Sequence, residues 1–198
     1  MKKLSYGKMS LNEVQYKFKL TLNLSCFFTE LPSITPSEHL QKFLRSSTPL
    51  ALFSEKSRSE FIIAPILLEI RELVQQTISI YSGVTLDVAP EEGLQGICDF
   101  LITQSSPLPI IQAPIIVVVE KSDIEAGFGQ CAAEMIAAER INQLRYQSQK
   151  KYIYGCVTTG ELWQFLRLTE SQLDINPQKI YLAEIEKILG AFWTIINE

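Results

Sequence analysis

The chain has 198 residues, of which 46% are hydrophobic, and a formal net charge of −4. This size is typical of a single domain with a sizeable core, and the mild acidity argues against broad, nonspecific coating of nucleic acids. No apolar run reaches the about 18 residues that a membrane span needs, so no membrane partner is expected. The opening Met1-Lys2-Lys3 is not followed by the apolar stretch of a signal peptide.

Cysteine and histidine usage excludes several further chemistries. The four cysteines are scattered with no CxxC pair, which argues against a structural zinc site or a disulfide framework: they are Cys26, Cys98, Cys131 and Cys156. This pattern favours reduced, buried thiols in a cytoplasmic protein. The single histidine, His39, leaves little material for histidine metal sites or for Ser-His-Asp catalysis.

Residues 1–50 are predicted to form an N-terminal extension of one strand and one helix, and residues 51–198 the core with a C-terminal hairpin and helix. Tyr16–Phe28 alternates partly between apolar and polar residues, which predicts the strand. Thr35-Pro36-Ser37-Glu38 predicts a helix start, with the Thr as N-cap and the Pro at the first helical position. We expect this helix to run to about Arg45.

Periodicity and turn residues predict the elements of the core. The turn at 90–93 and the proline-containing linker Gln104–Pro114 separate its strands. The predicted elements are a helix over Ser57–Thr77 with a mild kink at Pro65, strands over Ile78–Val88, Gln95–Thr103 and Ile115–Glu120, a helix over Asp123–Gln147, a hairpin of Lys151–Thr158 and Glu161–Leu168, a strand near Lys179–Leu182 and a helix near Ile185–Ile196. This order predicts an α/β fold with a mixed sheet and helices on both faces.

Two acidic residues stand in otherwise apolar, strand-like runs. Asp99 lies in GICDFLI, and Glu120 ends PIIVVVE with Lys121 directly after it. Burying a carboxylate without a partner costs several kcal/mol or forces it to take up a proton, so these acids are expected to have partners. Acids at paired strand ends are candidate ligands of a divalent metal, and we predict Asp99 and Glu120 in that role.

Carboxylate oxygens suit a hard cation such as Mg²⁺ or Mn²⁺. Such a cation polarises a phosphoryl group and lowers the pKa of a bound water, which hydrolysis of a phosphodiester requires. Lys121 is a candidate to stabilise the developing charge. Glu60, near the start of the first long helix, and Gln130, one turn into the next, complete the predicted catalytic set with Asp99 and Glu120.

Over roughly residues 55–170, the chain resembles the PD-(D/E)xK restriction-endonuclease-like nucleases. The pieces that carry the resemblance are SEFIIAPILLEI with Glu60, GLQGICDFLI with Asp99, and APIIVVVEKSDIEAGFGQCAAEM with Glu120 and Gln130. The closing YGCVTTGELWQFLRL is similar to a hairpin that follows the nuclease core in several bacterial branches. The resemblance implies an αβββαβ core with a central mixed sheet flanked by helices. It also implies Mg²⁺-dependent cleavage of DNA, and it leaves open a homodimer, because two strands need two sites.

The chain departs from the family pattern at two positions. Cys98 stands where the family has a proline before the aspartate. The family's Glu-x-Lys motif is Glu120-Lys121-Ser122 here, so Ser122 occupies the position expected for the lysine. Because residues i and i+2 of a strand share a face, Lys121 is expected to point away from Glu120 unless a bulge turns it.

Three functions remain open from the sequence. The first is a metal-dependent endodeoxyribonuclease, and the second is a catalytically degenerate member of the same fold that binds nucleic acid or a protein. The third is an unrelated α/β domain whose acids are structural. In that last case Asp99 caps a turn or pairs with a lysine, Lys121 is a solvated strand-end lysine, Glu60 is a first-turn helix acid, and Gln130 is a helix-surface amide.

Overall fold

The computed structural model describes residues 5–104, 111, 113–146 and 151–198, without the side chains of residues 52, 145 and 146. Within these residues seven strands form one sheet: β1 (Thr21–Leu24), β2 (Ser79–Thr85), β3 (Ile97–Thr103), β4 (Pro114–Glu120), β5 (Ile153–Thr158), β6 (Leu162–Thr169) and β7 (Gln172–Tyr181). Their order across the sheet is β1-β7-β6-β5-β4-β3-β2.

Helices precede, connect and follow these strands. The α-helical segments are α1 (Leu11–Phe18), α2 (Glu38–Ser47), α3 (Glu55–Arg58), α4 (Ala64–Leu73), α5 (Ile124–Ile141) and α6 (Ile185–Asn197). A π-helical turn over Ser59–Ile63 joins α3 to α4 in one continuous helix, and a second such turn over Asn142–Tyr146 follows α5. No described helix combines the length and the apolar character that a bilayer crossing requires.

The sheet is mixed. β4 and β5 run parallel and are connected through α5, and the edge strand β1 runs parallel to β7. The other four neighbouring pairs are antiparallel. Every residue of β4 is buried, as is typical of a central strand that is covered on both faces.

Two hydrophobic cores lie on opposite faces of the sheet. Alternation along β4 sends Val117 and Val119 into the core that contains α5 and α1. Ile116 and Val118 enter the other core, with α4 and α6. The predicted α/β architecture, a central mixed sheet flanked by helices, is therefore confirmed.

Several predicted elements are confirmed within a few residues. They include the turn at 90–93, the strand β3, the hairpin of β5 and β6, and the terminal helix α6. The predicted linker Gln104–Pro114 falls largely on residues 105–110 and 112, which lie outside the described residues, and its last residue opens β4. Gln147, the predicted end of the long helix, also lies outside them.

The predicted strand over Tyr16–Phe28 is wrong in its first part. The segment begins inside α1, which Ser10 caps: its hydroxyl accepts from the Glu13 amide while the Glu13 side chain accepts from the Ser10 amide. This reciprocal cap stabilises a helix that partial alternation had obscured. The helix ends at Lys19, whose φ is 55°, and the strand is reduced to the four residues of β1.

Two other boundaries differ from the prediction. The N-cap of α2 is Ser37 rather than the predicted Thr, because the Ser37 hydroxyl accepts from the Leu40 amide. The last strand begins at Gln172 instead of near Lys179. The sequence pattern did not reveal the first half of this strand, because Asp174 interrupts the apolar residues. Asp174 is polar and yet buried, only 4% exposed.

The mild kink predicted at Pro65 falls just after a π-helical turn, Ser59–Ile63. Proline has no N–H, so the carbonyl of Phe61 loses its usual partner four residues on. The hydroxyl of Ser47 donates to this carbonyl at 2.8 Å. Thus α2 supplies the hydrogen bond that the proline removes from the longer helix.

The four cysteines are all described and are free thiols. Cys98, Cys131 and Cys156 are buried, as predicted, whereas Cys26 is exposed. Burial raises the pKa of the three enclosed thiols, so they stay protonated near neutral pH.

Candidate functional site

Asp99 and Glu120 lie at the same end of two neighbouring strands. Asp99 is near the start of β3 and Glu120 is the last residue of β4, and the antiparallel pairing of these strands brings the two together. The backbone N–H of Glu120 donates to Asp99 Oδ2 at 3.0 Å. The structure therefore places the two predicted metal ligands side by side.

Glu120 has a cationic partner in α3. Its side chain is 3% exposed, and Arg58 Nε donates to Glu120 Oε1 at 2.8 Å. Burial raises the pKa of Glu120, the Arg58 guanidinium lowers it, and the charges of Glu55 and Asp99 raise it further. The net pKa shift is upward, so the acid is harder to ionise than an exposed glutamate.

The pKa of Asp99 is raised as well. Burial raises its pKa, and the hydrogen bond from the Glu120 amide and the charge of Lys121 oppose that rise. The charge of Glu55 raises the pKa again. Asp99, Glu120 and Glu55 thus form an acidic group in which like charges repel, and the charges of Arg58 and Lys121 oppose that repulsion.

Lys121 and Glu120 lie on opposite faces of the sheet. The pairing of β4 with β5 is regular up to Glu120, and the Lys121 amide continues it with a 2.9 Å bond to Thr158 O. A Cβ on Gly127 of α5 would lie 3.1 Å from Lys121 Cγ, so the lysine stem runs along α5. Arg58, by contrast, approaches Glu120 from the other face. The expectation that Lys121 points away from Glu120 matches this arrangement.

The other two predicted site residues have different settings. Glu60 lies in the π-helical turn with its side chain 56% exposed, 3.7 Å from the ammonium of Lys56. Among the described residues no hydrogen bond or ion pair joins Glu60 to Asp99 or Glu120. Gln130 is only 5% exposed and lies inside the core that contains α5.

Gln130 belongs to a buried polar cluster that sequence reasoning missed. Its Nε2 donates to Glu134 Oε1 at 2.9 Å, and Glu134 is fully buried. Burial raises the pKa of Glu134 to about 8, the amide of Gln130 lowers it, and the charge of Asp99 raises it. The Cys98 thiol and Lys121 also act on this carboxyl. The cluster therefore adjoins the strand-end acids from the α5 side.

Within this cluster two oxygen atoms lack hydrogen-bond partners among the described residues: Gln130 Oε1 and Glu134 Oε2. The N-terminal turn covers them. A Cβ on Gly7 would lie 3.4 Å from Gln130 Oε1, and the Tyr6 hydroxyl donates to Leu86 O at 2.6 Å. Since a buried carboxyl is expensive to ionise, Glu134 is held in its neutral form near pH 7.

Arg58 and Glu134 are the site residues that sequence reasoning did not identify. Glu134 lies four residues after Gln130 in GFGQCAAEMIAA. It is the single charged residue in this helical stretch of mostly small and apolar residues. That solitary charge is a signal that could have been used. Arg58 had no comparable signal, because its role depends on how α3 meets the end of β4.

Carboxylates such as the two at the strand ends are the donor type that a magnesium-like cation takes. Mg²⁺ is commonly bound by one or two carboxylates, with water and substrate phosphates as the other ligands. Asp99 and Glu120 supply two such carboxylates. Within the described part of the chain, no group of three or more His, Cys, Asp or Glu side chains is arranged to enclose a metal.

No protein-family model matches the chain, and no curated protein matches it at a significant level.

Proposed function

We propose that the chain is a divalent-cation-dependent nuclease that hydrolyses DNA phosphodiester bonds at Asp99 and Glu120. The observation that carries the proposal is the meeting of buried Glu120 and half-buried Asp99 at one end of the sheet, linked by the 3.0 Å bond from the Glu120 amide to Asp99. Both acids have a raised pKa. Clustered carboxylates with perturbed pKa values are typical of functional sites.

The order of elements supports the same proposal. The continuous helix of α3 and α4, then β2, β3 and β4, then α5 and β5, follow one another as αβββαβ. This is the order that the resemblance to the PD-(D/E)xK nucleases implies. We infer that this part of the chain is the restriction-endonuclease-like core and that β6, β7 and α6 extend it.

Asp99 and Glu120 would hold the cation, which, when bound, polarises the phosphoryl group and lowers the pKa of a water ligand. Arg58 has to release Glu120 Oε1 for that carboxylate to become a full ligand. Its guanidinium is then free to pair with a phosphate oxygen, for which its planar donors are suited. Lys121, on the α5 face, lowers the pKa of Asp99 through its positive charge and so favours the ionised carboxylate against the effect of burial.

A second candidate function is a catalytically degenerate member of the same fold that binds nucleic acid without cleaving it. The observation that favours it is the 2.8 Å ion pair between Arg58 and Glu120, in which a guanidinium stands where a metal ion would bind. The position of Lys121, on the face opposite Glu120, favours it as well, because Ser122 stands where the Glu-x-Lys motif has its lysine.

A cleavage assay tests the proposal. Supercoiled plasmid and single-stranded DNA are incubated with Mg²⁺ or Mn²⁺ and with wild type, Asp99→Asn or Glu120→Gln. Glu30→Gln, which removes an exposed carboxylate from a loop, is the matched control. We expect cation-dependent cutting by wild type and the control, and a loss of at least about a hundredfold in both site variants, because each removes a charged ligand.

Two other results would redirect the assignment. Cutting that persists in Asp99→Asn and Glu120→Gln would show that it does not originate at this site. An absence of cutting by every protein, together with retained DNA binding, would leave the degenerate binding function in place of the nuclease.

A further inference from the structure

An open cleft lies beside the candidate site. Its volume is about 1250 Å³, and it runs between α2, the β5–β6 turn and the chain before α6. Its walls are largely apolar, with Leu44, Ile62 and Ile185 among the residues that line it. The proposed cation ligands, Asp99 and Glu120, do not line this cleft. We therefore ask which ligand the cleft itself suits.

The cleft is continuous with the candidate site through two residues. Arg58 lines it, and the same guanidinium donates through Nε to Glu120. Ser122, two residues after Glu120, lines it as well. The two terminal amino groups of Arg58 make no hydrogen bond to another described residue, so they remain available to an anion in the cleft.

Charge and aromatic character at the cleft favour a nucleotide. Arg45, an exposed residue of α2, adds a second guanidinium to that of Arg58. Tyr181 lines the opposite side and is 53% exposed, which leaves its ring accessible. Guanidinium groups bind phosphates, and a tyrosine ring offers a surface on which a base stacks. Glu161, also in the lining, is the one carboxylate that opposes an anion there.

The size of the cleft distinguishes a polymer from a small metabolite. Pockets for small molecules typically measure about 300–1000 Å³ and enclose most of the ligand. This cleft exceeds that range and is open to solvent. Unpaired nucleotides expose the faces of their bases, whereas the bases of a duplex are stacked on one another and offer no free face to an apolar wall.

We infer that the cleft binds unpaired nucleotides of a nucleic acid strand, with phosphates at Arg45 and Arg58 and a base against Tyr181. The placement of this strand next to a scissile bond rests on the proposed function. Binding itself does not, because none of the cleft groups named here is a proposed cation ligand.

The test measures binding without cleavage. Fluorescence anisotropy follows labelled oligothymidylate, oligouridylate and a blunt DNA duplex of equal length in the presence of EDTA. The variants are Arg45→Ala, Tyr181→Ala, Tyr181→Phe and Glu161→Gln. Lys42→Ala is the matched control, because it removes a positive charge from the exposed part of the same helix at a position that does not line the cleft.

We expect the single strands to bind more tightly than the duplex. Arg45→Ala and Tyr181→Ala should each weaken single-strand binding about tenfold, since they remove a charge-assisted contact and a stacking surface. Tyr181→Phe and Lys42→Ala should bind like wild type, and Glu161→Gln more tightly. The salt dependence of binding should decrease in Arg45→Ala, because fewer counterions are released.

Equal losses in Arg45→Ala and Lys42→Ala would overturn the inference, because they would indicate general charge attraction. Tighter binding of the duplex, or no binding of any strand, would overturn it as well. Plasmid cleavage is scored separately. Single-strand binding that depends on the cleft without cation-dependent cutting would refute only the nuclease, and cutting without such binding would refute only the cleft.

Discussion

The ion pair between Arg58 and Glu120 places a charge in an almost fully buried position. Glu120 is 3% exposed and Arg58 19% exposed, so the pair is poorly screened by solvent. Such pairs add little net stability compared with apolar residues, but removing one partner leaves an uncompensated charge. Arg58 lowers the pKa of Glu120 and therefore favours the ionised carboxylate when no other cation is bound.

Replacing Arg58 by Gln should expose a competition between the guanidinium and a metal. We expect the free energy of unfolding without metal to fall by about 3 kcal/mol, because Glu120 loses its partner. Mn²⁺ should raise the melting temperature of Arg58→Gln more than that of wild type, since no side chain then competes for Glu120 Oε1. Differential scanning fluorimetry with a Mn²⁺ titration measures both effects.

Lys56→Gln is the control for that experiment. Its pair with Glu60 is exposed, with the lysine side chain 83% accessible, and should contribute less than about 1 kcal/mol. An unchanged Mn²⁺ response in Arg58→Gln would contradict the view that Arg58 occupies a cation site.

Glu134 should make the stability of the chain depend on pH. Its pKa is raised from 4.5 to about 8, so between these values the folded state keeps a proton that the unfolded state has released. The free energy of unfolding then falls with rising pH, by up to about 1.4 kcal/mol per pH unit. The stabilising contribution is complete below pH 4.5 and is lost by about pH 8.

Glu134→Gln should remove this dependence, because the amide stays neutral and can still accept from Gln130. We expect the variant to gain stability over wild type as the pH rises from 5 to 8, measured by urea unfolding at each pH. Glu72→Gln, at an exposed helix position, should run parallel to wild type. Parallel curves for Glu134→Gln would mean that Glu134 already ionises near its ordinary pKa.

Single residues show where sequence reasoning was sufficient and where it was not. Asp99 and Glu120 were identifiable because charges in apolar, strand-like runs are unusual. That Lys121 turns away from Glu120 followed from the two-residue repeat of a strand. Arg58 could not be paired with Glu120 in the same way, because the contact joins separate elements whose packing no local pattern specifies.

At the scale of elements, close backbone contact fixes the N-terminal segment against α5. An added Cβ on Gly129 would lie 2.1 Å from Met9 O and 2.5 Å from the carbonyl carbon of Ser10. Only glycine leaves room for this approach. The segment in turn covers the polar cluster around Glu134, so one helical glycine links the N-terminal turn to the site.

Gly129→Ala should therefore destabilise the protein although alanine favours helices. Helix propensity alone would stabilise the variant by up to about 1 kcal/mol. The clash should instead cost at least about 2 kcal/mol and make the segment before α1 more sensitive to protease. Thermal unfolding and limited proteolysis measure these effects.

Ala126→Gly, at an exposed position of the same helix, calibrates the propensity term and should lose about 1 kcal/mol. A gain in stability for Gly129→Ala would show that the N-terminal segment does not pack on α5 as described.

Elements with strong local signals were predictable, and those that depend on neighbours were not. The valine-rich β4 and the hairpin around Thr159-Gly160 carry their own patterns of burial and turn formation. The π-helical turn, however, depends on a hydrogen bond from Ser47 to Phe61 O, two residues on different helices. Likewise β7 buries Asp174 beside Arg167, so its polar residues looked like loop residues.

At the scale of the molecule, the N-terminal elements belong to the same packed structure as the core. Val14 of α1 is fully buried in the hydrophobic cluster that contains α5, and β1 extends the sheet beside β7. The two ranges of the predicted division, residues 1–50 and 51–198, are thus packed against each other. Whether they behave as separate units stays a prediction. Small domains packed in this way usually unfold in one step.

Val14→Ala should test that coupling. We expect a loss of about 1–3 kcal/mol from the cavity, with equal shifts of the far-UV circular dichroism and of the tryptophan fluorescence transitions. Trp163, buried in the core on the other face of the sheet, contributes to the fluorescence. Tyr16→Ala, at a side chain 90% exposed, should leave both transitions unchanged.

Two separate transitions in Val14→Ala would instead show that the N-terminal region unfolds as its own unit.

Sequence patterns could predict the class of fold, because alternating helices and strands imply a mixed sheet. They could not predict which strand would pair with β1, since strands far apart in sequence pair through tertiary packing.

The pairing of β1 with β7 has a consequence for how the protein is made. Thr21 pairs with Gln172, so the ribosome has to add most of the chain, on the order of ten seconds of synthesis, before β1 meets its neighbour. The apolar side of α1 waits in the same way for α5, which is synthesised after α1 and before β7. The elements made early must be among the last to reach their final positions, and during that interval the nascent chain is most exposed to aggregation and to chaperones.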